Sequence, residues 1–243
     1  MAQGSLNAHN VKPDSVTLNY HLNQWNEPYR STVHFCDFIA DELAQSRRVV
    51  DLGCGAGGPT RYLADRYPEV SFIGLDVSPD LITHALKLEI PNLAFEDDNA
   101  ESLKVRFGID GVVMMQTLHT MPDPALPLHQ VATRIRPSWV ALSTLIYDGN
   151  INCQIVVSEP MIERMQYYYV FGLPGLTHGM QVEGYRLAKY REFKIDADLP
   201  KPANPDVMGT YTIKTETGRL QCSGPLLLPW GFVLFERTHA NAD

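Results

Sequence analysis

The chain has 243 residues, a net charge of −8, and an ordinary globular balance of 44% hydrophobic and 20% charged residues. That length supports one well-buried domain with room for an elaborated lid, and the acidic balance argues against a broad nucleic-acid or anionic-membrane footprint. No stretch reaches the roughly 18 apolar residues of a membrane span, the N-terminus lacks the basic start and apolar core of a secretory signal, and the cysteines Cys36, Cys54, Cys153 and Cys222 form no C-x-x-C pair. These features point to reduced thiols, no metal site and a cytoplasmic location.

Residues 1–18 are polar and aperiodic, as in a flexible arm. Next come Tyr20, Trp25 and Tyr29, aromatics in a segment too polar for plain core, and then a helix. Its apolar face is Val33, Cys36, Ile39, Ala40 and Leu43, with Ser31 placed to cap it. From there strand and helix alternate. RRVVDLG is a buried strand and PTRYLADRY a helix with Pro59 in its first turn; VSFIGLDV is a second strand, and Ser78-Pro79-Asp80 opens a second helix. NLAFEDD is a short third strand, and IDGVVMMQTL a fourth that is apolar on both faces. A helix opened by Asp123-Pro124 leads to a fifth strand, WVALSTLIY. This alternation predicts a doubly wound parallel α/β sheet. In the last hundred residues SEPMIERMQYYYVF and VEGYRLAKY read as helices broken at Gly172–Gly175. REFKIDADL and WGFVLFERT read as strands, with a hairpin between them turning near Thr217-Gly218.

The stretch VVDLGCGAGGPT joins the first strand to its helix through Gly53, Gly55, Gly57 and Gly58. Glycines there allow positive φ and let a ligand approach the backbone. A dinucleotide would set its pyrophosphate at the following helix N-terminus, where the acid Asp51 opposes it. S-Adenosylmethionine carries a sulfonium and an ammonium instead, and Asp51 suits it. Asp76, at the tip of the second strand, is placed to accept hydrogen bonds from both hydroxyls of a ribose. That device serves a nicotinamide cofactor equally well, so an NAD-dependent oxidoreductase stays open as the alternative, as does a non-catalytic S-adenosylmethionine binder.

Asp51 to Gly58, Asp76 and the segment from Asp98 to Leu103 together resemble the three cofactor motifs of class I S-adenosylmethionine-dependent methyltransferases, over residues 49–146. The resemblance implies a Rossmann-like sheet of seven strands with the last antiparallel, FKIDADL and FVLFERT being the final pair. It also implies S-adenosyl-L-methionine as cofactor, S-adenosyl-L-homocysteine as product, and a cofactor set of Asp51, Gly53, Cys54, Gly55, Gly57, Asp76, Val77, Asp98, Asn99, Ala100 and Gln116. Where the family's third motif often carries an acid facing the adenine amino group, this chain has Asn99, whose amide oxygen still accepts, with Asp98 beside it to compensate.

Methyl transfer from a sulfonium draws much of its catalysis from proximity, and a hydroxyl acceptor also benefits from a base. His119, just past the fourth strand, is the candidate base. Residues 1–32 form the expected arm and lid, with Tyr20 and Arg30 turned to the cofactor, Arg30 pairing with the methionyl carboxylate. Trp25, Tyr29, Tyr168 and His178 are candidates for the substrate side. Residues 33–243 make a single domain, with a cofactor half at 49–146 and acceptor-pocket additions at 147–230. The absence of an N-P-P-Y-like motif after the fourth strand favours oxygen or carbon on a small-molecule or saccharide acceptor, and a homodimer is compatible with the composition.

Overall fold

The computed structural model describes residues 15–238; most of the expected arm, residues 1–14, lies outside them. Three helices come first: α1 (Ser15–Asn23), α2 (Arg30–Phe38) and α3 (Ala40–Gln45). The expected single helix is two, α2 and α3, and of its expected face Cys36, Ile39 and Leu43 are buried against one side of the sheet together with Phe35 and Phe38, while Val33 and Ala40 are only partly buried. Ser31 does not cap. The helix begins at Arg30, and the Ser31 hydroxyl accepts a hydrogen bond from Gln116 Nε2 at 2.7 Å instead.

The alternation that follows is β1 (Arg48–Leu52), α4 (Gly58–Arg66), β2 (Ser71–Asp76), α5 (Pro79–Ala85), β3 (Leu93–Asp97), β4 (Gly111–Met115), α6 (Ala125–Gln130) and β5 (Trp139–Tyr147). Local chemistry sets several of these boundaries. Ser78 Oγ accepts from Leu81 N at the start of α5 with Pro79 in the first turn, and Asp123 Oδ1 accepts from Ala125 N at the start of α6. Strand β4 is buried at every residue, as its unbroken apolar run requires.

The remaining elements are β6 (Cys153–Glu159), β7 (Arg164–Gly172), α7 (Leu173–Val182), β8 (Tyr185–Glu192), β9 (Thr210–Thr215), β10 (Gly218–Ser223), β11 (Leu226–Leu227) and β12 (Trp230–Arg237). The main sheet runs β3-β2-β1-β4-β5-β12-β8, with β12 antiparallel to both neighbours. Strand β7 pairs in parallel with the end of β5, and β6 pairs antiparallel with β7, so the sheet holds nine strands. One core lies on each face. The first gathers Val50, Leu75, Val112, Leu142 and Phe235, and the second Val49, Phe72, Val113, Phe232 and Leu234. No helix among the described residues is long and apolar enough to cross a membrane.

Two expectations for the tail are corrected. SEPMIERMQYYYVF is not a helix: its second half is β7, paired with β6 from Cys153↔Val170 to Glu159↔Arg164. The run Tyr167-Tyr168-Tyr169-Val170-Phe171 is aromatic and β-branched, and that outweighs the helix-forming residues before it. VEGYRLAKY is likewise no helix. Its Tyr185–Lys189 part opens β8, an edge strand laid on β12, and the penultimate strand therefore sits earlier than FKIDADL. Pairing with β12 overrides the helix propensity of Leu, Ala, Lys and Arg. The helix of this region is α7, starting where a break was expected. The hairpin is present, β9 pairing with β10 from Gly218↔Thr215.

One buried acid fastens the tail. Glu159 is 4% exposed and takes hydrogen bonds from Arg164 Nε at 2.7 Å, from the Gln166 amide and from Met208 N at 2.6 Å. Glu159→Ala leaves the guanidinium and amide donors short of their acceptor in a buried setting. It is expected to cost about 3 kcal/mol, read as a fall in the midpoint of urea unfolding. An unchanged midpoint would show that the β6–β7 hairpin is held by its ladder alone.

Candidate functional site

The strand order reverses between β1 and β4, and ligands of open α/β sheets bind outside the carboxyl ends of the strands at such a point. Four loops meet here. After β1 the chain turns through Gly53 (φ +85), Gly55 (φ +57) and Gly57 (φ +84), and α4 starts at Gly58. The N–H groups of Gly53 and Cys54 both donate to Leu75 O, at 2.7 and 3.0 Å, which pulls the loop onto the tip of β2.

At that tip Asp76 is held at both oxygens. Gly55 N donates to Oδ2 at 2.9 Å, and Ser78 N to Oδ1 at 2.9 Å. Each oxygen keeps a lone pair for another donor. Val77 follows at 41% exposure. Behind the loop Asp51 is 1% exposed. Its Oδ2 accepts from Thr60 Oγ1 at 2.6 Å, and its Oδ1 has no partner. Burial pushes the Asp51 carboxyl up to about 7, the Thr60 hydroxyl partly opposing this and Asp76 adding to it. Burial likewise holds the Cys54 thiol far above its ordinary value, so it is an inert packing group beside Phe95 and Ile82.

Asp51 therefore carries a stability cost that a cation would remove. Its pKa is raised in the folded state, so the folded form is favoured while the carboxyl is protonated. That contribution is lost as pH rises from the ordinary carboxylate range through about 7. Asp51→Asn is expected to raise the unfolding free energy of the ligand-free protein at alkaline pH by on the order of 2 kcal/mol, read as a higher melting temperature, and to leave it little changed in acid. Equal gains at both pH values would mean that Asp51 is not the titrating group.

The third motif differs from expectation. Asp98 is 8% exposed and is tied into the fold: Oδ1 accepts from Asn99 N at 2.9 Å, and Oδ2 accepts from Lys104 N at 3.3 Å and from the Arg106 guanidinium. It pins the turn after β3. Asn99, half-buried, accepts from Glu101 N through Oδ1 at 2.9 Å, and Ala100 packs in the core beneath.

Gln116, just past β4, is a non-glycine residue at φ +59, a conformation retained only where the surroundings impose it. Its side chain bridges to the N-terminal segment: Oε1 accepts from Tyr20 Oη at 3.0 Å and Nε2 donates to Ser31 Oγ at 2.7 Å. The same segment is bound to the glycine loop. Trp25 Nε1 donates to Ala56 O at 2.7 Å, and Arg61 Nη1 donates to Trp25 O at 3.3 Å. Trp25 thus anchors the segment to the loop, where the sequence placed it on the substrate side. Tyr29 sits on Tyr20, ring centroids 5.3 Å apart. Arg30 is displaced from its expected role. It is 58% exposed and pairs with Asp196 at 2.7 Å, on the surface segment after β8.

His119 is also corrected. It is 4% exposed, its ring set edge-on to Trp230 at 4.9 Å and 6.0 Å from Tyr168, with no partner for Nδ1. Burial drives its pKa down to about 3, so it is a neutral imidazole and too weak a base for work near pH 7. Tyr168 lies on β7, not on a helix, half-buried, with its hydroxyl at Ser223. His178 is exposed on α7, whose Leu176 and Met180 face the core. No group of His, Cys, Asp and Glu suited to a metal occurs among the described residues.

Sequence reasoning missed two participants. The His21 imidazole lies against Gly55, and the Thr117 side chain lies against Gly53. Neither belongs to a motif. The clue available was that His21 falls in the same polar, aromatic stretch as Tyr20 and Trp25.

Residues 49–138 match the family described as a methyltransferase domain. This segment is a methyltransferase domain. Among curated relatives, the trans-aconitate 2-methyltransferase of Methylobacterium nodulans is 38% identical over 95 residues, 39% of this chain and 36% of that protein. The one from Deinococcus radiodurans is 36% identical over 93 residues, 38% of this chain and 35% of that protein. The matched segment thus spans little more than a third of these relatives. Solved structures extend the likeness at the level of fold. The 1,6-didemethyltoxoflavin-N1-methyltransferase of Burkholderia thailandensis, with S-adenosylhomocysteine bound, superposes with a TM-score of 0.56 at 14% identity, covering 95% of this chain and 92% of that one. The magnesium protoporphyrin IX methyltransferase of Synechocystis, with S-adenosylmethionine bound, gives 0.53 at 13% identity, covering 98% and 87%.

The methyltransferase domain fits its cofactor on three counts visible in its own residues. The glycine turn carries no side chains of its own and runs through positive φ at Gly53, Gly55 and Gly57, Asp51 Oδ1 is an orphaned buried acceptor, and Asp76 offers lone pairs on two fixed oxygens.

Proposed function

We propose that this protein transfers a methyl group from S-adenosylmethionine to an oxygen, or else a carbon, of a small-molecule acceptor. The single observation that carries this reading is the pairing of the glycine turn with Asp76 through the bond from Gly55 N to Oδ2. It joins the backbone surface needed by a methionyl group to the acceptor needed by a ribose. When bound, S-adenosylmethionine supplies a methyl group already activated on a sulfonium.

The chain's own residues then have limited tasks. Asp76 accepts from the ribose hydroxyls. Val77 offers exposed apolar surface to the adenine, and Asn99 its amide. Asp51 is the acid behind the loop whose ionisation a cationic ligand favours. The N-terminal segment acts as a lid, held by Trp25 on Ala56 and by Tyr20 on Gln116, and it excludes water during transfer.

The acceptor side is proposed to lie between Tyr20, Tyr29 and Tyr168. Burial raises the pKa of all three hydroxyls, so they stay protonated donors at neutral pH. With His119 too weak a base, an acceptor oxygen that is already ionised fits best. A carboxylate is such an oxygen, and the name of the trans-aconitate 2-methyltransferases points to an organic acid for those relatives. Transfer to it would rest on proximity and orientation.

The test is formation of S-adenosylhomocysteine when the protein is incubated with S-adenosylmethionine and a panel of small carboxylic acids, phenols and sugars. Turnover with a carboxylic acid supports the reading. Binding of NAD in place of S-adenosylmethionine, measured by calorimetry, would overturn it.

A further inference from the structure

The N-terminal helix delivers one titratable side chain to the glycine turn. A Cβ at position 55 would fall within 2.5 Å of His21 Cε1, so the imidazole rests directly on the Gly55 backbone. Gly55 N is itself bonded to Asp76 Oδ2 at 2.9 Å, so His21, Gly55 and Asp76 share one corner. The ring is fixed there from both sides. Tyr20 meets it edge-on, centroids 5.4 Å apart, and is tied to Gln116, while Trp25 ties the next turn of chain to Ala56.

We propose that His21 is a specificity residue that reads charge in the cofactor cradle, its protonation opposing the cationic methyl donor and not the uncharged-sulfur product. This rests on the methyltransferase reading above. S-Adenosylmethionine carries a sulfonium that S-adenosylhomocysteine lacks, and a second cation brought to the same corner by the lid raises the free energy of the first ligand alone. Neutral His21 imposes no such penalty, so the closed lid discriminates by pH between donor and product.

Other charged or titratable groups border this corner. Asp76 acts on His21 from β2, and Asp51 and Cys54 interact in turn with Asp76 from β1 and its loop. Tyr20 meets the ring from α1 itself, Tyr29 rests on Tyr20 from the turn before α2, and Arg61 of α4 binds Trp25 O. Burial lowers the His21 pKa and Asp76 works the other way. The imidazole is therefore neutral above its ordinary value of about 6.5 and takes up a proton only below it. The closed lid also loses stability as pH falls through that range, because an open lid releases His21 to be protonated. That loss weakens both ligands alike. Asp51 titrates near neutrality as well, and its contribution is common to the wild type and any His21 variant.

The experiment is calorimetric titration of the full chain with S-adenosylmethionine and with S-adenosylhomocysteine at pH 7.5 and 5.5, for the wild type, His21→Ala and His21→Gln. The expected result is a loss of donor affinity on acidification that exceeds the loss of product affinity by roughly tenfold in the wild type, the size of a partly screened charge pair at short range. In both variants that excess should shrink to the residue left by Asp51. An equal excess in the wild type and both variants would overturn the role of His21 while leaving the methyltransferase reading intact. Failure of either ligand to bind at pH 7.5 would overturn both.

Discussion

Gly55→Val is expected to reduce S-adenosylmethionine binding by at least about a hundredfold while the sheet stays folded. Two separate obstacles act at this position. The backbone stands at φ +57, where a β-branched residue costs on the order of 1–3 kcal/mol. The new side chain would also be driven into the His21 ring, so the lid helix must lift. If the loop instead changes conformation to relieve φ, the bond from Gly55 N to Asp76 Oδ2 breaks and the cradle opens. Either response removes binding surface. The core on both faces lies beneath the loop and does not depend on it, so far-ultraviolet circular dichroism should remain that of the wild type. Gly108→Ala is the control. It has φ +67 but nothing within 4 Å of an added Cβ, so strain without a clash should cost stability and leave affinity unchanged. Full affinity in Gly55→Val would show that the loop is only a turn.

Asp76→Ala is expected to weaken the same ligand by about 2–3 kcal/mol, some 30- to 150-fold, because a charged acceptor of hydrogen bonds is lost. Its effect goes beyond the ribose. Asp76 also receives Gly55 N and Ser78 N, so its removal frees the glycine turn and the first residues before α5 together. Asp76→Asn should rescue little. One of its two polar atoms becomes a donor and meets a backbone N–H that also donates. Calorimetry on both variants, with S-adenosylhomocysteine as a second ligand, separates the two contributions. Loss of the ribose bonds weakens both ligands equally, since both carry the same nucleoside. Unchanged affinity in Asp76→Ala would mean that the ribose lies elsewhere.

Much of this protein was legible from short-range pattern. The run from Val49 to Asp76 specifies strand, glycine turn, helix and strand through apolar runs, positive-φ positions and Pro59, all of which act over a few residues. The cofactor loop and the acid two residues before its first glycine follow from the same stretch. The tail is not legible in this way because the deciding forces there are not local. Tyr185–Glu192 is composed of residues at home in a helix and becomes a strand because the edge of β12 offers it a ladder. The tyrosine run of β7 becomes a strand because β6 is its partner.

The site divides in the same way. Asp51 and Asp76 could be placed from sequence because strand ends fix them. The fates of Asp98, Arg30 and His119 could not, because a charged or titratable side chain answers to whatever the fold brings beside it. Arg106 claims Asp98, Asp196 claims Arg30, and Trp230 and Tyr168 bury His119. The seating of His21 on Gly55 is of this second kind. Two segments more than thirty residues apart meet because the lid helix docks on the loop through Trp25 and Tyr20, and no periodicity or motif in either segment encodes that contact. The sequence by itself determined the parallel sheet and the cofactor loop, whose causes are backbone conformation and burial along one strand. Tertiary structure alone decided which polar side chains face that loop, because hydrogen-bond partners and desolvation are properties of neighbours in space.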